Sequence, residues 1–161
     1  MDCEEKLLII QDVKNEIKNS DVLKNEVKKY HISIDLDKVI DLIPMYFADF
    51  EVSARTDHGV IYFNNKLLEK IDQISHYALH ESIHYFQQCF GKKPTKGSND
   101  GDYLDNKFEQ EAFRAQTEYL SETRGDEVAE NYINKVLDHH EVDSKKEREA
   151  RKKKLLQLSG K

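Results

Sequence analysis

The sequence is poor in the residues that typify small disulfide-rich or fibrous proteins. It contains two cysteines, two prolines, six glycines and no tryptophan in 161 residues. The two cysteines, Cys3 and Cys89, are too few for a disulfide scaffold, and neither lies in a C-x-x-C arrangement. The low proline and glycine content excludes collagen-like and low-complexity chains. This cysteine usage favours a reducing compartment.

Long apolar runs are also lacking. No segment approaches the roughly 20 apolar residues that a membrane-spanning helix needs. The first ten residues (MDCEEKLLII) have neither the basic start nor the apolar core of a signal peptide. With 38% apolar and 35% charged residues, the composition indicates a soluble, helix-rich protein. We therefore expect a cytoplasmic protein with no membrane partner.

The most informative motif is the pentapeptide HESIH at residues 80–84, an H-E-x-x-H pattern. Residues four apart on an α-helix stack on one face, so His80 and His84 can reach one ion. Glu81 then leans over the same turn as a candidate general base. The pattern predicts a zinc site on a helix.

The segment around this motif supports that prediction. Residues 67–90 contain no proline or glycine, and their apolar residues surround much of the predicted helix. A buried helix must supply partners for its polar groups, and a metal ion can satisfy two imidazoles and a carboxylate together. The alternative is that the histidines are hydrogen-bonded core residues, without a metal.

A catalytic zinc site needs a third protein ligand. The metzincin pattern is absent because Gln87 and Phe90 occupy the positions where glycine and histidine are required. After a turn rich in glycine and asparagine, a second predicted helix begins near Tyr103 and carries Glu109 and Glu111. Both glutamates flank its apolar stripe, and periodicity cannot choose between them.

The combination of H-E-x-x-H with a downstream E-x-x-A, residues 109–112, resembles the gluzincin zinc metallopeptidases. In particular, it resembles the small ImmA/IrrE-like proteins and the minimal zincins of phages and mobile elements. The resemblance covers about residues 57–120. It implies an α+β minimal zincin fold, with a small antiparallel sheet packed on the active-site helix and a glutamate-bearing helix, and extra helices at both ends.

The resemblance also implies a function. Zn²⁺ would be held by His80, His84 and Glu109, with Glu111 as the fallback ligand. Glu81 would be the catalytic base of an endopeptidase selective for a protein or peptide partner. Residue 113 departs from the family, which often has Asp or Asn where this chain has Phe113. Support for the ligands must then come from elsewhere, such as Asp105 or Gln116.

Two further features follow from the resemblance. An edge strand beside the cleft is expected to pair with the substrate backbone, and residues 60–63 are the candidate. An oxyanion-stabilising side chain is also expected, and four residues qualify by type. These are Tyr103, Arg114, Tyr119 and His76. The later histidines, His139 and His140, lie far along the chain and are not assigned a role.

The sequence predicts one domain, residues 1–143, followed by a basic tail, residues 144–161. Residues 1–30 form a helical extension interrupted near residues 19–21, where Ser20 or Asp21 can cap the second helix. A short helix ends near Pro44, and a strand at residues 50–54 is expected to pair antiparallel with residues 59–63. Gly125 ends the glutamate helix, and another helix begins around Asp126.

The tail differs in charge from the rest. It contains eight Lys or Arg and two Glu, a formal charge of +6, which leaves −12 for the remaining residues. A solvated helix is the favoured interpretation, and nucleic-acid binding is disfavoured by the acidic body. The alternative to an enzyme is a non-catalytic, zincin-fold binding or regulatory protein that docks a partner through its helical extensions.

Overall fold

The computed structural model describes residues 1–91 and 103–160. They form an α+β protein, and the chain divides into two compact units, Met1–Thr95 and Lys96–Lys161. The predicted turn rich in glycine and asparagine lies, apart from its first residue, outside the described residues. In this part of the chain, no helix is both long and apolar enough to cross a membrane.

The N-terminal unit contains a three-stranded sheet and four of the described α-helices. The helices are α1 (Cys3–Lys18), α2 (Asp21–Val27), α3 (Leu36–Leu42) and α4 (Ile74–Phe90), and the strands are β1 (Met45–Ala48), β2 (Ala54–Asp57) and β3 (Val60–Asn64). The predicted break between the first two helices is confirmed. Ser20 is the N-cap of α2, and its Oγ accepts a hydrogen bond from the backbone N–H of Val22.

The sheet is mixed, with the strand order β1-β3-β2. A two-residue turn at His58 and Gly59, with φ angles of +50° and +77°, joins β2 antiparallel to β3. Positive φ at both positions is the geometry that fits a tight hairpin, and glycine adopts it without strain. The expected antiparallel pairing is therefore correct for β2 and β3, although β2 begins four residues later than predicted.

The prediction of an all-antiparallel sheet is wrong for β1, which pairs parallel to β3. The chain runs along β1, returns along β2, and then inserts β3 between them. The first and third strands consequently run in the same direction as neighbours. Since β3 is paired on both sides, residues 60–63 cannot be the edge that accepts a substrate strand. Among the described residues, β1 and β2 are the edge strands.

Helix α4 forms the centre of the N-terminal unit. It packs against β2 and β3 as well as against α1 and α2. Its buried apolar residues are Ile74, Ala78, Leu79, Ile83 and Phe86. The helix begins at Ile74 rather than near Leu67, because 3-10 turns at Asn65–Glu69 and Ile71–Gln73 precede it. The side chain of Asn64 caps the first of these turns, accepting from the N–H of Lys66 at 2.9 Å.

The C-terminal unit consists of helices α5 (Lys107–Arg124), α6 (Asp126–His139) and α7 (Lys145–Leu155), preceded by a 3-10 turn at Tyr103–Asp105. Gly125, at φ +100°, separates α5 from α6 as predicted. One apolar cluster holds the unit together and consists of Leu104, Phe113, Ile133, Leu137, Val142 and Leu155. Phe113 thus serves the core of this unit.

The basic tail is a helix that packs on its own unit through both apolar and charged groups. Leu155 is fully buried. Arg148 donates to the carboxylate of Asp138 at 2.8 Å, and Arg151 donates to Asp105 at 2.7 Å. Exposed ion pairs contribute little, so the burial of Leu155 is the main packing term.

Candidate metal centre

Helix α4 brings His80, Glu81 and His84 onto one stretch of its surface. His80 and Glu81 are 5% and 7% exposed, and His84 is partly buried. The ring centroids of the two histidines lie 4.9 Å apart, with one ring edge-on to the other. This is the result expected for side chains one helical turn apart, where i and i+4 share a face. Both imidazoles therefore lie on the same face of α4.

The carboxylate of Glu81 is tied to the sheet. The hydroxyl of Thr56, on edge strand β2, lies 2.9 Å from Glu81 Oε1 and 2.9 Å from the Glu81 backbone carbonyl oxygen. A hydroxyl has one proton to donate, and a carboxylate is the stronger acceptor. Thr56 thereby restricts the rotamers of Glu81. Sequence reasoning did not identify this residue, because it lies 25 positions before its partner in a segment that carries no motif.

His84 is tied to its own helix. Its Nδ1 lies 2.7 Å from Oε1 of Gln87, a residue that is only 2% exposed. The sequence analysis nominated Asp105 and Gln116 as supports for the ligands. Asp105 instead pairs with Arg151, while Gln116 is fully buried on α5. Gln87 lies at a predictable helical spacing from His84, but the sequence does not show that it is buried.

Glu109 lies in the first turn of α5, in the C-terminal unit, and is 5% exposed. The side chain of Asn106 caps this helix, accepting from the backbone N–H groups of Phe108 and Glu109. A carboxylate in the first turn is favoured by the helix dipole. Glu111 is less buried than Glu109. This difference in burial distinguishes two glutamates that periodicity could not separate.

His140, which sequence reasoning set aside, lies near Glu109 within the C-terminal unit. Burial and the neighbouring His139 lower the pKa of the His140 imidazole, and the carboxylate of Glu109 acts in the opposite direction. The ring of His140 also stacks on Tyr103, with centroids 4.9 Å apart. The 31 positions between Glu109 and His140 explain why no local pattern indicated this proximity.

The remaining oxyanion candidates have the following environments. His76 is buried one turn before His80, and its ring lies against Tyr77 with centroids 4.2 Å apart. Arg114 donates to the carbonyl oxygen of Lys154 at 3.1 Å, so it holds the end of α7. Tyr119 is a core residue at 7% exposure.

Comparison of the chain with protein-family models, with curated proteins and with solved structures finds no match.

Proposed function

We propose that this protein is a zinc-dependent endopeptidase of the gluzincin type. In this proposal His80, His84 and Glu109 hold the ion, and Glu81 is the general base. The substrate is a peptide segment of a specific protein partner. The resemblance to the small ImmA/IrrE-like and phage minimal zincins supplies the reaction type, and the environment of the α4 residues supports it.

The observation that carries the proposal is the environment of Glu81. Its carboxylate is buried beside two histidines and is oriented by the hydroxyl of Thr56. Burying a carboxylate is costly unless it is hydrogen-bonded or paired, and the Thr56 hydroxyl supplies one such hydrogen bond. A carboxylate held in one orientation between two potential metal ligands is what a general base requires.

The side chains of the proposed ligands are of types that zinc binds. The proposed ligands are the imidazoles of His80 and His84 and the carboxylate of Glu109. Two imidazoles with one carboxylate are a donor set of catalytic zinc sites, which keep a further position open. Bound zinc would act as a Lewis acid that activates a water molecule and polarises the peptide carbonyl.

The proton transfers of the reaction are carried out by side chains of the protein. Glu81 takes the proton of the attacking water and delivers it to the amine nitrogen as the peptide C–N bond breaks. Thr56 holds the carboxylate in place while it exchanges this proton. Glu81→Gln would keep the size of the side chain and remove its basicity.

The test combines metal content with peptide cleavage. Untagged protein is dialysed, its zinc is measured by elemental mass spectrometry, and it is incubated with a proteome-derived peptide library whose new termini are read by mass spectrometry. We expect about one zinc per chain in the wild type and in Glu81→Gln, with new termini only in the wild type.

The outcomes separate the metal site from the reaction. Absence of zinc in the wild type overturns the metal site. Zinc without new termini overturns the peptidase assignment and favours the partner-docking protein. That second function has one structural observation in its favour, because Leu7 and Leu8 on α1 are more than 60% exposed. Exposed apolar side chains of this size are suited to a protein contact.

A further inference from the structure

Gln87 is a buried polar side chain that neither the motif nor the proposed mechanism uses. It follows His84 by three positions on α4, so the two side chains share a helix face. Gln87 Oε1 and His84 Nδ1 lie 2.7 Å apart, a short hydrogen bond for a nitrogen donor. Since a carbonyl oxygen can only accept, this contact is a hydrogen bond when Nδ1 carries the proton.

The position of Gln87 is itself constrained at the end of the helix. Its backbone carbonyl accepts a hydrogen bond from the N–H of Gly91 at 3.1 Å. A Cβ atom at position 91 would collide with this carbonyl oxygen, so glycine is needed there. The next residue, Gln88, behaves differently. It is exposed and its side chain reaches Thr56 O and Gly59 N instead of His84.

From this geometry we propose that Gln87 is a positioning residue for His84, which selects the Nδ1–H tautomer so that Nε2 is the nitrogen presented to zinc. The inference rests on the proposed metal site. A neutral imidazole has one donor nitrogen and one acceptor nitrogen, and only the acceptor can ligate a metal. A hydrogen bond to the other nitrogen fixes both the tautomer and the ring orientation of a ligating histidine.

The acceptor is an amide and therefore carries no charge. A carboxylate in the same place would raise the basicity of the imidazole more strongly and strengthen its bond to the metal. Gln87 thus orients His84 while giving a more weakly donating ligand. Replacing Gln87 with Glu keeps an acceptor in place and should tighten zinc binding, whereas replacement with Leu removes the acceptor and should weaken it.

The experiment measures zinc affinity by chelator competition in the full-length protein and in three variants. Gln87→Leu should bind zinc about 10- to 100-fold more weakly than the wild type, which is the usual effect of losing such a partner. Gln87→Glu should bind at least as tightly as the wild type. Gln88→Leu is the matched control on the same helix and should bind like the wild type. Equal affinity in Gln87→Leu and the wild type overturns the inference.

A second measurement is independent of metal binding. Long-range ¹H–¹⁵N correlation spectra of metal-free wild-type protein, recorded where His84 is neutral, report its tautomer directly. The Nδ1–H form is expected, and the Nε2–H form overturns the role of Gln87 even if zinc binds. Failure of the wild type to bind zinc overturns the metal site, whereas zinc binding that is insensitive to Gln87→Leu overturns only the inference about Gln87.

Discussion

A hydrogen bond between the side chains of Thr56 and Glu81 links edge strand β2 to the middle of α4. The Thr56 hydroxyl lies 2.9 Å from Glu81 Oε1, and both side chains belong to the N-terminal unit. Because β2 is held by its hairpin with β3, the hydroxyl is presented from a fixed backbone. The orientation of the proposed general base therefore depends on the position of β2. Any substrate that displaced this strand would also disturb Glu81.

Replacing Thr56 with valine should slow peptide cleavage without removing zinc. The change deletes the hydroxyl and keeps the branched shape that suits a strand. Loss of one hydrogen bond to a charged group is worth about 1.5–3 kcal/mol, which corresponds to roughly a 10- to 100-fold lower rate. The rate is measured as kcat on a peptide recovered from the library. Thr56→Ser restores the hydroxyl and should restore most of the rate, and loss of zinc in Thr56→Val would contradict the positioning role.

Glu109→Ala should abolish stoichiometric zinc, whereas Glu111→Ala should retain it. Glu109 is buried in the first turn of α5, and Glu111 is only partly buried. Removing one of three ligands commonly lowers metal affinity far below what survives dialysis. Zinc per chain is measured by elemental mass spectrometry, with circular dichroism to confirm that each variant is folded. Retention of zinc in Glu109→Ala and its loss in Glu111→Ala would reverse the assignment.

Leu155→Ala should destabilise the protein by about 2–5 kcal/mol, the range measured for truncating buried leucines. Leu155 is fully buried in the cluster that joins α7 to the rest of the C-terminal unit. The free energy of unfolding in urea is the measurement. Leu158→Ala is the matched control, because Leu158 is 38% exposed and its truncation should change stability little. An equally small effect at both positions would mean that α7 is a solvated tail.

Deprotonation of the buried Lys14 side chain should make the free energy of unfolding depend on pH in the alkaline range. Burial lowers the pKa of its ammonium below the ordinary lysine value of 10.5, Asp41 opposes this shift, and Lys18 adds to it. Its Nζ donates to the backbone carbonyl oxygen of Asp41 at 2.8 Å. Between the lowered pKa and 10.5, the native state releases this proton before the unfolded chain does. Stability contributed by this group therefore rises with pH across that interval.

Lys14→Met removes this titration. The free energy of unfolding of Lys14→Met, minus that of the wild type, should decrease as the pH rises from 7 towards about 10.5, because only the wild type gains stability from Lys14. Parallel urea titrations of both proteins at each pH give the difference directly. A difference that stays constant with pH would show that burial does not perturb Lys14.

The local features of the chain follow from short-range rules and could be predicted. The helix at residues 80–84, the cap at Ser20 and the break at Gly125 each depend on residues within a few positions of one another. Helical spacing alone places His80 and His84 on one face. The mixed sheet could not be predicted in this way, because nothing in residues 45–64 specifies that β3 inserts between β1 and β2.

Local sequence is enough to place the proposed ligands and base on α4 at their relative spacing, since hydrogen bonding within a helix sets the spacing of its side chains. The surroundings of these side chains depend on how the rest of the chain folds. Thr56 reaches Glu81 across 25 positions because β2 packs on α4. Glu109 is buried and Glu111 is only partly buried, a difference that helical periodicity does not show. Such contacts arise from the burial of apolar surface by the whole chain, and no local pattern records them.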